Sequence, residues 1–118
     1  RHNRYLIPFA TVSPRVSLPS QIPPAIAEIM VQAGMDPADW EGSIGDIRRA
    51  VQLFKREHGP SQGKDYSELN DDQLTDDYHY MIFPNVTLNT HADDLMLFRQ
   101  RPHATDPNKM LYDIWMFE

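Results

Sequence analysis

Apolar and polar positions alternate with two different periods along this chain. Tyr5, Leu6, Ile7, Phe9 and Val12 fall in a β-forming run from Arg4 to Val12. The run predicts a strand, and Pro8 inside it removes a ladder donor and confines the strand to a sheet edge or a bulge. Ser13 to Ser20, with Pro14 and Pro19, predicts a loop. From Pro23 to Gly34 the period becomes helical. Ile26, Ile29, Met30 and Ala33 form a stripe, prolines occupy the first turn and Gly34 is the stop. Asp36-Pro37 marks a second helix start, and a longer helix is predicted from about Ser43 to His58. Its apolar positions are Ile44, Ile47, Val51 and Phe54. Arg48, Arg49, Lys55 and Arg56 are expected on its solvated side, and Gly59-Pro60 ends it. Ser61 to Asp77 is polar and predicts a loop with at most a helical turn.

Beyond Asp77 the pattern is strand-like. Tyr78 to Thr90 predicts one strand, His91 to Asp94 a turn, Leu95 to Arg101 a second strand, and Met110 to Phe117 a third after the Pro102–Lys109 loop. Helices followed by an antiparallel meander predict an α+β domain. In the first of these strands the even positions Tyr80, Ile82, Pro84, Val86 and Leu88 are more apolar than the odd ones, so they are expected to face a core or cavity. Pro84 inside the strand predicts a bulge, either a plain kink or a bend that shapes a ligand pocket.

Composition narrows the class. The 118 residues suit one domain, 41% are hydrophobic and 24% charged, which is a globular balance. A net charge of -6 argues against general electrostatic nucleic-acid binding. The absence of cysteine excludes a disulfide framework, a thiolate zinc site, a cysteine-ligated iron–sulfur cluster and a cysteine nucleophile within these residues. No apolar run approaches the ~20 residues of a membrane span, and no signal peptide is recognisable. A start at Arg1 and a stop just after a strand-like run predict an internal piece of a longer protein.

The candidate chemistry is sparse. The acidic residues between Asp65 and Asp77 lack the alternate-acid spacing, glycine and closing glutamate of a calcium loop, so they are expected to be a solvated acidic loop. The five histidines contain no pair three to five residues apart, the usual local spacing of a metal pair. Asp76-Asp77-Tyr78-His79 places acids beside a histidine, yet Phe83 and Pro84 stand where a second histidine would be needed, so His79 is expected to be a strand histidine and not a ligand. No nucleophile elbow, phosphate loop or dinucleotide fingerprint is present. Arg99 and Arg101 are expected to pair with neighbouring acids or anchor a subunit contact, and Trp40 and Trp115 to serve a core or an interface.

Three runs carry a resemblance. Leu74 through Asn89 contains a strand-borne Phe83-Pro84-Asn85. Leu97 to His103 contains Arg99-x-Arg101-Pro102 and is followed by Asp106-Pro107. Tyr112 to Phe117 closes the chain. With Arg1 to Arg4 leading into Leu6 to Phe9, these runs resemble the catalytic domain of Rieske-type aromatic ring-hydroxylating oxygenase large (alpha) subunits. The resemblance spans most of the chain and is closest from about Asp65 onward. It implies a parent with a Rieske [2Fe–2S] domain and a helix-grip (START-like) catalytic domain. That domain holds a mononuclear Fe(II), fed with electrons by a reductase or ferredoxin, that activates O₂ for insertion into an aromatic substrate. It also implies that the iron histidines lie upstream of this segment and the carboxylate ligand downstream, so no metal or catalytic residue is carried onto this chain.

What the resemblance carries over is a pocket wall: Pro84, Val86, Leu88, Met96 and Phe98 are the expected substrate-binding residues. Residues 1–118 are then a single incomplete domain, with a helical insert at about 22–58 and a β-meander at about 78–117. The segment alone is expected to hold no cofactor, to catalyse nothing and to self-associate through exposed apolar sheet. The parent is expected in the bacterial cytoplasm, with an apolar aromatic substrate and neither nucleic acid nor membrane as partner. The competing readings are a non-enzymatic helix-grip domain that binds an apolar small molecule, and a dimerising interaction domain that uses its strand edges.

Overall fold

A computed structural model describes residues 2–11 and 22–118. The predicted loop from Ser13 to Ser20 lies outside the described residues. The chain divides into two compact units, a sheet unit of Arg1–Ile7 with Asp76–Glu118 and a helical unit of Pro8–Thr75.

In the helical unit, α1 spans Pro24–Gln32 with proline in its first turn. Gly34 adopts a left-handed φ of 72° just past the helix end, and its N–H bonds the Val31 carbonyl at 2.9 Å. Only glycine takes this conformation without steric cost. The Asp36-Pro37 start yields a single 3₁₀ turn, Pro37–Asp39, with the Asp36 carboxylate accepting from the Ala38 N–H at 2.9 Å. The long helix, α2, spans Ile44–His58. Ser43 and Asp46 form a reciprocal capping box at its N-terminus, which satisfies two N–H groups that the helix cannot. Met30 from α1 packs with Ile44, Ile47 and Val51 from α2 as the centre of the core. These are the residues picked out by helical spacing.

The polar stretch before the sheet is more ordered than its composition suggests. A short helix, α3, spans Asp71–Thr75. It begins with a reciprocal pair in which the Asn70 N–H donates to Gln73 Oε1 and the Gln73 N–H to Asn70 Oδ1, both at 2.9 Å. The arginines of α2 do not simply face water. Arg48 pairs with Asp72 at 2.8 Å, Arg49 with Asp71 at 2.6 Å, and the Lys55 ammonium donates to the Leu74 carbonyl at 2.8 Å. The acidic stretch and the basic side of α2, each expected to be solvated, remain exposed and are in addition paired with each other. Opposite charges within reach lower the energy of both.

The sheet unit is five antiparallel strands in the order β1-β2-β3-β4-β5. They are β1 His2–Ile7, β2 Asp77–Ile82, β3 Val86–Thr90, β4 Leu95–Pro102 and β5 Met110–Phe117. The first strand ends before Pro8, whose missing N–H cannot continue the ladder, and it lies at an edge as its proline requires. The single strand expected from Tyr78 to Thr90 is corrected to a hairpin. Phe83-Pro84-Asn85 is its turn, and Ile82 pairs with Val86, Tyr80 with Leu88 and Tyr78 with Thr90. Pro84 terminates pairing here, where a bulge was expected. A turn of three residues keeps even positions opposite even positions, so the alternation runs through it unchanged.

Candidate functional site

Strand register assigns every side chain of the sheet to one of two faces, because directly opposed residues project the same way. One face carries Tyr80, Ile82, Val86 and Leu88, opposed by Leu97 and Arg99 on β4 and by Trp115 and Asp113 on β5. The other carries Tyr5, His79, Met81, Asn89, Met96 and Phe98. The five expected pocket residues are thus not brought onto one surface. Val86 and Leu88 share the first face, Met96 and Phe98 lie on the second, and Pro84 sits in the turn between β2 and β3. The cause is the pairing of Val86 with Arg99, which sets the odd residues of β4 beside the even residues of β3.

The first face ends in an ion-pair cluster. Asp113 Oδ2 accepts from Arg99 Nη2 at 3.0 Å and from Arg101 Nε at 2.7 Å, and Oδ1 accepts from Arg101 Nη2 at 2.9 Å. The Arg99 guanidinium also stacks 5.2 Å from the Trp115 ring. The arginine pair thus meets a neighbouring acid, as expected. Arg101 first, then Arg99, hold the Asp113 carboxyl below its usual 3.8, at about 2. A depressed carboxyl stabilises the folded state above its unfolded pKa and loses that contribution as pH falls through the folded one. The β4–β5 cluster therefore keeps its full strength above pH 3.8 and loses it towards pH 2. Carbon-detected NMR titration of the Asp113 carboxyl should find its midpoint near 2. Arg101→Gln should move that midpoint up further than Arg99→Gln, and equal or absent shifts would contradict the assignment.

The second face has a different character. Its central row runs Tyr5, His79, Asn89, Met96 and Met116 across the five strands. The neighbouring row runs Asn3, Met81, Thr87, Phe98 and Ile114. Phe98 stacks on Tyr112 with centroids 5.7 Å apart, and Tyr5 lies tilted against the His79 ring at 6.2 Å. His79 Nδ1 hydrogen-bonds Asn89 Oδ1 across β2 and β3. An open depression of about 210 Å³ lies at the hairpin end, lined by Met81, Phe83, Pro84, Val86, Thr87 and Gln100 among others. At the opposite end His91 stands between two carboxylates, with Nδ1 2.7 Å from Asp94 and Nε2 3.7 Å from Asp77 Oδ1. That Asp77 oxygen is buried and has no hydrogen-bond partner among the described residues. The position of His79 in a strand was anticipated, but its pairing with Asn89 was not.

The iron centre implied by the resemblance does not fit these residues. Cysteine is absent from the sequence, His79 commits Nδ1 to Asn89 across the sheet, and His91 commits Nδ1 to Asp94 within its turn. Among the described residues no group of three or more His, Asp or Glu side chains is placed to hold a metal ion. No described helix is long and apolar enough to cross a membrane.

The family model for the ring hydroxylating alpha subunit (catalytic domain) matches residues 14–117. No curated protein and no solved structure matches the chain significantly. The family match covers nearly all of the 118 residues, including α1, α2, α3 and strands β2 to β5. The chain therefore belongs to the catalytic-domain family of ring-hydroxylating alpha subunits.

Proposed function

We propose that this segment supplies the substrate-facing wall of an aromatic ring-hydroxylating oxygenase, and that the wall is the sheet face bearing Met96 and Phe98. The observation that carries the reading is the composition of that face. Met81, Met96 and Met116 with Tyr5, Phe98 and Tyr112 share it with the smaller polar residues Asn3, Thr87 and Gln100 and the His79–Asn89 pair. Ligand sites are mostly apolar with a few placed polar groups, and methionine adapts to irregular shapes. The opposite face instead ends in a closed three-residue ion-pair cluster, with Val86 and Leu88 packed alongside. Pro84 shapes the rim of the depression at the hairpin end.

In this proposal the helical and sheet units are parts of one incomplete helix-grip domain. The parent holds the mononuclear iron and the Rieske cluster on residues outside this segment and takes electrons from a reductase or ferredoxin in the bacterial cytoplasm. The 118 residues alone bind no iron, turn nothing over, and self-associate through exposed sheet. The wall residues act by shape, worth about 10- to 200-fold in specificity per misfit methylene. In the assembled oxygenase, Phe98→Ala should shift the kcat/KM ratio for biphenyl over toluene by about 10-fold or more. Leu88→Ala, on the other face, should leave it within about twofold. The reverse pattern would place the substrate on the other face.

A further inference from the structure

The open end of the β2–β3 hairpin is closed by three ionisable side chains that the proposed wall does not use. His91 begins the turn between β3 and β4, and its backbone N–H donates to the Asp94 carbonyl at 3.0 Å. Its ring lies between two carboxylates, with Nδ1 2.7 Å from Asp94 Oδ1 and Nε2 3.7 Å from Asp77 Oδ1. Asp77 begins β2, one step beyond the Tyr78–Thr90 pair, so its contact with His91 continues that ladder. A carboxylate only accepts, so the contact with Asp94 fixes a proton on Nδ1. In the neutral ring Nε2 is then a lone pair, and it faces an oxygen that is also an acceptor. Asp77 Oδ1, buried and without a hydrogen-bond partner among the described residues, is then left uncompensated. A second proton, on Nε2, turns this unfavourable contact into an ion pair. The other titratable groups of the sheet unit around the ring are Asp76 beside Asp77, Asp93 in the turn, Tyr5 and His79 on the neighbouring row of the same face, and Glu118 just past the Leu95–Phe117 pair. None of these is a permanent cation, and Asp76 and Asp93 have partners of their own.

We propose that His91 is a pH-sensitive clamp on this hairpin. As an imidazolium it holds the β3–β4 turn to the first residue of β2. As a neutral ring it keeps Asp94 and releases Asp77. Histidine is the side chain whose charge ordinarily changes between pH 5 and 8. The clamp is present while the ring is charged and is lost as pH rises through its titration. The other end of the hairpin is fixed by bonds between neutral groups, the Asn85 amide nitrogen donating to the Gln100 carbonyl at 2.7 Å and the Gln100 N–H to the Asn85 carbonyl at 3.0 Å. Loosening at alkaline pH therefore starts at the β3–β4 turn, whichever face of the sheet meets substrate.

Nitrogen-15 NMR of the His91 ring in the 118-residue chain, with hydrogen exchange at the His91 amide, tests this at pH 5.5 and pH 8. Both ring nitrogens should carry protons at pH 5.5 and only Nδ1 at pH 8. A proton on Nε2 at pH 8 would leave Asp77 with a donor in both states and overturn the proposal. After correction for the intrinsic exchange rate, protection of the His91 amide should be about 3-fold or more higher at pH 5.5. Equal protection at the two pH values overturns it as well. These wild-type measurements stand whether or not variants fold. His91→Gln should show the same protection at both pH values, and a difference that persists there belongs to other groups and counts against the clamp. Asp77→Asn should shrink the wild-type difference. An undiminished one would assign the effect to Asp94 alone and overturn the link to β2.

Discussion

Ile47→Ala is expected to destabilise the helical unit by about 2–5 kcal/mol. Ile47 is fully buried, in the middle of the apolar stripe of α2. Met30, Ile44 and Val51 belong to the same buried cluster. Truncation removes three carbons from this cluster, so the loss combines the transfer free energy of those atoms with the cost of the cavity left behind. Folded domains are stable by only about 5–15 kcal/mol in total, so a loss of this size removes much of the margin. Leu53→Ala on the same helix is the control. Leu53 is 51% exposed, and its truncation should cost within about 0.5 kcal/mol. Urea unfolding followed by Trp40 fluorescence reads the effect, because Trp40 packs against this cluster. A Trp115→Phe background removes the signal of the sheet unit. Equal midpoints for Ile47→Ala and Leu53→Ala would mean that the stripe is not the core.

That stripe was legible because everything defining it is local. The 3.6-residue spacing of Ile44, Ile47 and Val51, the Ser43 cap and the Gly34 stop each lie within a turn or two of the feature they predict. The sheet was legible as antiparallel strands, but its faces were not. Leu95, Met96, Leu97 and Phe98 are apolar at every position, so alternation cannot orient β4. Only its pairing with β3 does so, and that puts Met96 and Phe98 opposite Asn89 and Thr87, away from Val86 and Leu88. The hairpin was hidden for a related reason, since a three-residue turn preserves the parity of the flanking strands. Once Pro84 is read as the centre of that turn, His79 and Asn89 fall at equal distances from it and must face each other. That symmetry about a strand-interrupting proline was the available signal for the polar pair. Neither residue type announces the pair by itself, because a strand histidine and a strand asparagine are each unremarkable until the register joins them.

Replacing Arg56 should have the second large effect, and the size should depend on geometry more than on charge. Arg56 Nη1 donates to the Tyr66 carbonyl at 2.5 Å, Nη2 donates to the Leu69 carbonyl, and Nε and Nη2 reach Asp71 Oδ1 at 3.3 and 3.2 Å. One planar guanidinium therefore ties α2 to both ends of the Tyr66–Leu69 turn and to the start of α3. Tyr66 itself is buried, so its carbonyl depends on a protein partner. Lysine carries the same charge on a compact ammonium and cannot span three acceptors in a fixed fork. Arg56→Lys should therefore cost about 1–3 kcal/mol, and Arg56→Met, which keeps the apolar stem but no donor, about 2–4 kcal/mol. Hydrogen exchange at the amides of residues 66–69 should quicken in both variants before global unfolding does. Salt separates the two contributions. The exposed pairs Arg48–Asp72 and Arg49–Asp71 should weaken in 1 M NaCl, where the screening length is about 3 Å. Bonds to neutral carbonyls should not, so the cost of Arg56→Lys should survive high salt. If it vanishes there, the contribution of Arg56 is its charge beside Asp71, and the carbonyl clamp is not what holds this loop.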